Sequence, residues 1–171
     1  SKVVEPAFGL PAVWISERER DKAEMSGYTV VESVAVLTTH LLEVLKSNAH
    51  QILGRQDVQN LLDNMKKDQP ALIEGLVPAL MPLGTVEKVL QNLLKERVSI
   101  RNLITILESL SEYGAMVKDP DVLTEYVRMT LAETIVQPYV NENNAIRAIT
   151  LSTNIEQLIT ESVQQIQQNG E

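Results

Sequence analysis

His40 and His50 are the only imidazoles in the chain, and imidazole is the side chain that most often does acid–base or metal chemistry near neutral pH. On one helix a separation of ten residues puts them nearly three turns, about 15 Å, apart, so they share no metal ion. Each reads as a residue at the edge of a helix face. The acidic pairs Glu17 with Glu19 and Asp119 with Asp121 fall where helices are expected to start, and the positive end of the helix dipole accounts for them. Cysteine is absent, which excludes disulfides, thiolate metal sites and cysteine nucleophiles together. "GRQDV" and "PLGTVEK" each place one glycine before a helix, well short of a phosphate-binding loop. The chain therefore reads as a non-enzyme, with no catalytic, cofactor or metal residues.

One basic stretch resembles the turn of a helix-turn-helix: "KERVSIRN", with Lys95, Arg97 and Arg101. It sits in a chain of net charge −8 and pI near 4.8, and no cluster of Lys and Arg overcomes that field beside a polyphosphate. Nucleic acid is not an expected partner. Apolar runs are broken every few residues by charge or proline, so no membrane contact is expected of this stretch, and the start lacks the basic and apolar regions of a signal peptide. With 171 residues, 44% of them hydrophobic and 22% charged, the profile is that of a soluble globular protein.

The elements that must position any site are mostly helices. "SERERDKAEMSG" predicts a short surface helix with Ser16 and Glu19 at capping-box spacing and Gly27 just past its end. Ser33 is expected to cap a helix whose Val34, Leu37, Leu41, Val44, Leu45 and Ile52 form one apolar stripe. Between about 55 and 137 the periodicity predicts a compact all-helical domain. It begins with Val58, Leu61, Leu62 and Met65, continues through a bent, proline-rich segment, and includes helices capped by Thr85, Ser99 and Asp119–Pro120. Three short strands are expected near 12–15, 28–31 and 146–151, the first two able to pair with each other. Asn154 opens a last amphipathic helix carrying Ile155, Leu158, Ile159, Val163 and Ile166. A strand without a sheet is unstable, so the chain reads as mainly α, with truncated sheets at both ends that a longer protein would complete.

The run "EPAFGLPAVWIS" holds the only Phe and the only Trp. Two readings stay open from the residues alone. Phe8 and Trp14 are core residues of a "PAVWI" strand, or Gly9 and Pro11 stiffen the segment so that Phe8 is displayed to a partner.

The blocks "EPAFGLPAVWI", "GYTVV", "THLLEVLKSNAHQILGRQDVQNLLD", "LVPALMPLGTVEKVLQNLLKERVSIRNLITILESL" and "KDPDVLTEYVR", in that order, closely resemble the large export-gate protein of flagellar type III secretion, the FlhA family. The resemblance covers nearly the whole chain; "AFGLPAVWI" points to the flagellar branch rather than the related injectisome gates. It implies an integral membrane protein of the bacterial inner membrane, whose cytoplasmic half has four subdomains and forms a nine-membered ring. Residues 1–32 would end an RNA-recognition-like second subdomain, and 33–52 would supply the returning helix of a thioredoxin-like first one. Residues 53–132 would be the helical third subdomain, and 133–171 the start of an α/β fourth. The implied role is a docking platform for export chaperones carrying substrates, which also meets the export ATPase complex and the substrate-specificity switch protein. By motif position the chaperone dimple maps onto Glu5, Phe8 and Thr39, with Val31 and Val36 as walls and Trp14 in the sheet core. The family usually has Asp where this chain has Glu5. The remaining alternatives are an injectisome gate of the same family and a mainly structural ring segment.

Overall fold

The computed structural model describes residues 2–169. It is mainly α-helical, and the chain divides into two compact units, Ser1–Ala132 and Glu133–Glu171.

The first unit opens with a hairpin. Strand β1 (Lys2–Val4) pairs antiparallel with β2 (Pro11–Val13), Lys2 lying opposite Val13 and Val4 opposite Pro11. A 3-10 turn, Glu17–Glu19, leads into α1 (Arg20–Met25). The Glu19 carboxylate accepts the Ser16 amide at 2.9 Å and the Ser16 hydroxyl at 2.8 Å, and these bonds, the amide first, hold its pKa below the ordinary carboxylate value. Gly27 closes α1 at φ +83°. Its amide donates to Glu24 O and that of Tyr28 to Ala23 O, a left-handed cap of the kind that favours glycine.

Residues 28–31 are not a strand. The Tyr28 amide is already spent on the α1 cap, and the partner of β2 is Lys2–Val4 instead. Helix α2 (Ser33–Ile52) follows, with Glu32 rather than Ser33 at its cap position. Its stripe exists as the periodicity predicts, yet α2 buries no residue fully, and Val34, Leu37, Leu41 and Ile52 are exposed.

The core lies in the helices that come next: α3 (Arg55–Lys66), α4 (Pro70–Leu76), α5 (Leu83–Lys95), α6 (Leu103–Tyr113) and α7 (Pro120–Thr130). Val58, Leu62, Leu76, Val86, Val89, Leu90, Leu93, Ile106, Leu107, Leu110, Leu123 and Val127 are all buried there, each stabilising the fold by about 1.5–3 kcal/mol. Helix α5 is central, packing against α2, α3 and α7. Asp119 caps α7 as its sequence predicts, accepting the Asp121 amide at 2.8 Å with Pro120 at the first helical position. The two other expected caps differ. Helix α5 begins before Thr85, with Pro82 at its cap, and α6 begins only at Leu103, with Asn102 at its cap, so Ser99 and Ile100 lie in the preceding turn. The Ser99 hydroxyl accepts the Arg101 amide at 3.3 Å there, a local bond that competes with helix.

The second unit contains most of α8 (Ala132–Val136), a 3-10 turn at Gln137–Tyr139 and α9 (Thr153–Asn169). The Asn141 side chain accepts the amides of Asn143 and Ala145, each at 3.0 Å, and closes a polar turn. The strand expected at 146–151 does not form. A single bridge, Val140 to Ile146, is all the pairing found in this stretch, because no neighbouring strand offers a ladder. Ile155, Leu158, Ile159, Val163 and Ile166 of α9 are exposed.

Candidate functional site

The turn between β1 and β2 is built around Glu5. Its amide donates to Leu10 O at 2.8 Å, and its own carbonyl accepts the Gly9 amide at 3.0 Å. The carboxylate reaches forward, Oε1 accepting the Ala7 amide and Oε2 the Phe8 amide, both at 2.8 Å. Charge-assisted bonds of this length are the stronger kind. Gly9 then turns the chain back at φ +71°, a conformation glycine adopts without a Cβ penalty.

These bonds fix the backbone of Phe8 while its side chain stays 64% exposed. Of the two readings the sequence left open, core residue and displayed residue, the structure has Phe8 displayed. Trp14 is also 54% exposed and lies one residue beyond β2, so it is not the sheet-core residue expected of it. Two strands enclose no core, and the apolar faces of Val4, Leu10 and Val13 remain open for the same reason.

Glu5 and Phe8 are thus brought together in one turn. Val31, Val36 and Thr39 lie on a separate stretch: Val31 is exposed in the extended approach to α2, and Val36 and Thr39 are half-buried at i, i+3 spacing on its first turns. The Val36 amide donates to Glu32 O at 3.0 Å, which sets the helical register there. Arg20 ties this approach to α1 through ion pairs with Glu32 and Glu24, and those carboxylates, Glu32 first, raise its pKa. What sequence reasoning missed is that Glu5 builds the turn itself. The available signal was a carboxylate two and three residues ahead of free amides in a proline-started, glycine-ended loop.

The arrangement offers an apolar side chain on a fixed backbone, beside a carboxylate whose oxygens are already hydrogen-bonded. A displayed apolar side chain of this kind is a usual feature of surfaces that dock a partner. Among the described residues there is no group of three or more side chains able to hold a metal ion, and no helix long and apolar enough to cross a membrane.

Comparison with known proteins gives one consistent result. The FHIPEP family model matches residues 1–171. The flagellar biosynthesis protein FlhA of Bacillus subtilis is 46% identical over 164 residues, covering 96% of this chain and 24% of that protein. The chain thus spans about a quarter of such a relative's length. Among solved structures, a chain of the Chlamydia pneumoniae CdsV and CdsO complex is 31% identical with a TM-score of 0.77, covering 86% of this chain and 43% of that one. The nonameric EPEC SctV-C is 25% identical with a TM-score of 0.62, covering 88% and 53%. A helical core with a displayed N-terminal hairpin, matched from end to end by one family, leads to one conclusion: the chain belongs to the FHIPEP family, whose flagellar members are the FlhA export-gate proteins of type III secretion.

Proposed function

We propose that this chain is part of the cytoplasmic docking platform of a flagellar export gate and binds export chaperones carrying their substrates. The observation that carries the reading is Phe8, exposed on a backbone that the Glu5 carboxylate holds through the Phe8 amide at 2.8 Å. A rigid, exposed aromatic gains apolar burial on binding without a large ordering cost. On this reading Val31, Val36 and Thr39, around the start of α2, supply the remaining wall of the chaperone site. The export ATPase complex and the substrate-specificity switch protein are further partners on this reading, and the full protein sits in the bacterial inner membrane as a ring. The CdsV and CdsO complex and the nonameric SctV-C, each containing a chain of similar fold, support partner binding and ring formation.

A structural role is the second reading. The uncovered stripes on α2 and α9 favour it, since open apolar faces of this length are normally covered in an assembly. Light scattering against concentration, with and without chaperone, separates the two.

Amide shift mapping tests the docking reading directly. Adding a flagellar chaperone–substrate complex is expected to move the amides of Ala7, Phe8, Gly9, Val36 and Thr39 and leave those of the buried core around Ile106 and Leu110 in place. Shifts confined to α9, or none, count against the dimple.

A further inference from the structure

The basic turn "KERVSIRN" contains an oddity that nucleic-acid binding does not explain. Helix α5 ends in a full left-handed cap: the Arg97 amide donates to Leu94 O at 3.0 Å and the Val98 amide to Leu93 O at 2.8 Å. Arg97 occupies its left-handed position at φ +60°. Glycine is the usual occupant there, and this chain uses glycine at the corresponding place after α1, where the amides of Gly27 and Tyr28 make the equivalent two bonds. A long side chain has been put where backbone strain argues against one, and such outliers persist where the side chain has a task.

The task is visible in its contacts. Arg97 Nη1 pairs with Glu43 at 3.0 Å and Nη2 donates to the Ser47 hydroxyl at 2.8 Å. Glu43 and Ser47 are one turn apart on α2, so the planar guanidinium spans two ladder positions of one helix face. Glu43 is half-buried, its side chain 17% exposed, and it accepts a second bond from Lys46 at 2.9 Å. At the C-terminal end of α2, Gln91 Nε2 of α5 donates to Leu53 O at 2.9 Å. Helix α2 packs on α5 through half-buried residues such as Ala49, none of them fully enclosed, and these two polar anchors, at its middle and end, add direction to that contact. Val36 lies seven residues before Glu43, about 10 Å along the helix axis, so a small tilt about the Glu43 anchor becomes a displacement at the candidate dimple.

We propose that Arg97 is a positioning residue for the docking surface: its guanidinium, on a left-handed backbone, latches α2 to the end of α5 and so fixes where Val36 and Thr39 stand. The link to docking rests on the function proposed above; the latch itself does not.

Two variants of the whole chain test it. Arg97→Gly removes the latch and also relieves the backbone, so the core keeps or gains thermal stability. Glu43→Gln leaves Arg97 in place and removes its charge partner. Both are expected to speed hydrogen exchange across 33–52 by roughly two- to fivefold, while peptides covering 103–110 are unchanged and the affinity for a chaperone–substrate complex falls. Exchange across 33–52 equal to the parent in both variants would overturn the latch. Faster exchange with full affinity, in a chain whose Phe8→Ala form has lost binding, would overturn the positioning role. A parent that binds no chaperone is a failure of the docking reading alone, and the exchange comparison still decides the latch.

Discussion

The Glu5 carboxylate accepts the amide of Phe8 at 2.8 Å, so the charged residue of the hairpin turn is bonded to the backbone of the aromatic it accompanies. The carboxylate thus sets where the aromatic stands. Replacing Glu5 by Ala removes both carboxylate bonds, to Ala7 and Phe8, and is expected to weaken partner binding without touching the buried helical core. Glu5→Gln keeps one acceptor oxygen and should fall between. Calorimetric titration of the two variants, alongside thermal unfolding, checks the order; equal binding by all three would separate the carboxylate from the display of Phe8.

Gly9→Ala isolates the backbone. Nothing lies within 4 Å of the Cβ it would add, but its φ is +71°, so the cost is conformational, on the order of 1 kcal/mol. Loss of the hairpin amide pattern with an unchanged midpoint of core unfolding is the expected result, read by proton–nitrogen correlation spectra.

Gly114→Ala should act on stability instead. A Cβ there would meet Leu110 O at 2.5 Å and Met81 Cε at 2.4 Å. Met81 can swing away, whereas the carbonyl belongs to α6 and cannot. A loss of about 1–3 kcal/mol is expected, lowering the thermal midpoint by roughly 3–10 °C. Gly84→Ala is the control, because its Cβ would face Arg55 Nη2 at 3.1 Å, the end of a flexible side chain.

The pH dependence of the α2 latch follows from Glu43, whose pKa is lowered below the ordinary carboxylate value by hydrogen bonds from Lys46 and then Arg97. A carboxylate depressed in the folded state contributes stability that is fully present above its unfolded pKa and is lost as pH falls through the folded one. The stability difference between parent and Glu43→Gln should thus be constant near neutral pH and shrink on acidification below the ordinary carboxylate range. Thermal unfolding of both across pH 3–7 reads it.

Much of the helical core was legible because its signals are local and repeated. Leu90, Leu93, Ile106 and Leu110 recur at helical spacing, and Asp119–Pro120 marks a start that needs no tertiary help. The strands were not legible in the same way. "YTVV" has strand composition, but its first amide closes the α1 cap, while the three residues that do pair with β2, Lys2–Val4, are too short a run to signal anything. Ser99 looked like a helix cap and instead bonds the Arg101 amide within the turn. At the candidate site, Phe8 stood out by rarity and by its proline-bounded setting. The hold of Glu5 on Ala7 and Phe8 depends on how the turn folds, and the reach of Arg97 to α2 crosses fifty residues of sequence that no local pattern encodes.

The most direct test is paired calorimetric titration of this chain, as parent and as Phe8→Ala, with a flagellar chaperone–substrate complex. A Phe8-centred docking site predicts saturable binding by the parent and a loss of roughly 1–4 kcal/mol in the variant, with core unfolding unchanged since Phe8 buries little. Binding by Phe8→Ala equal to the parent's would contradict it.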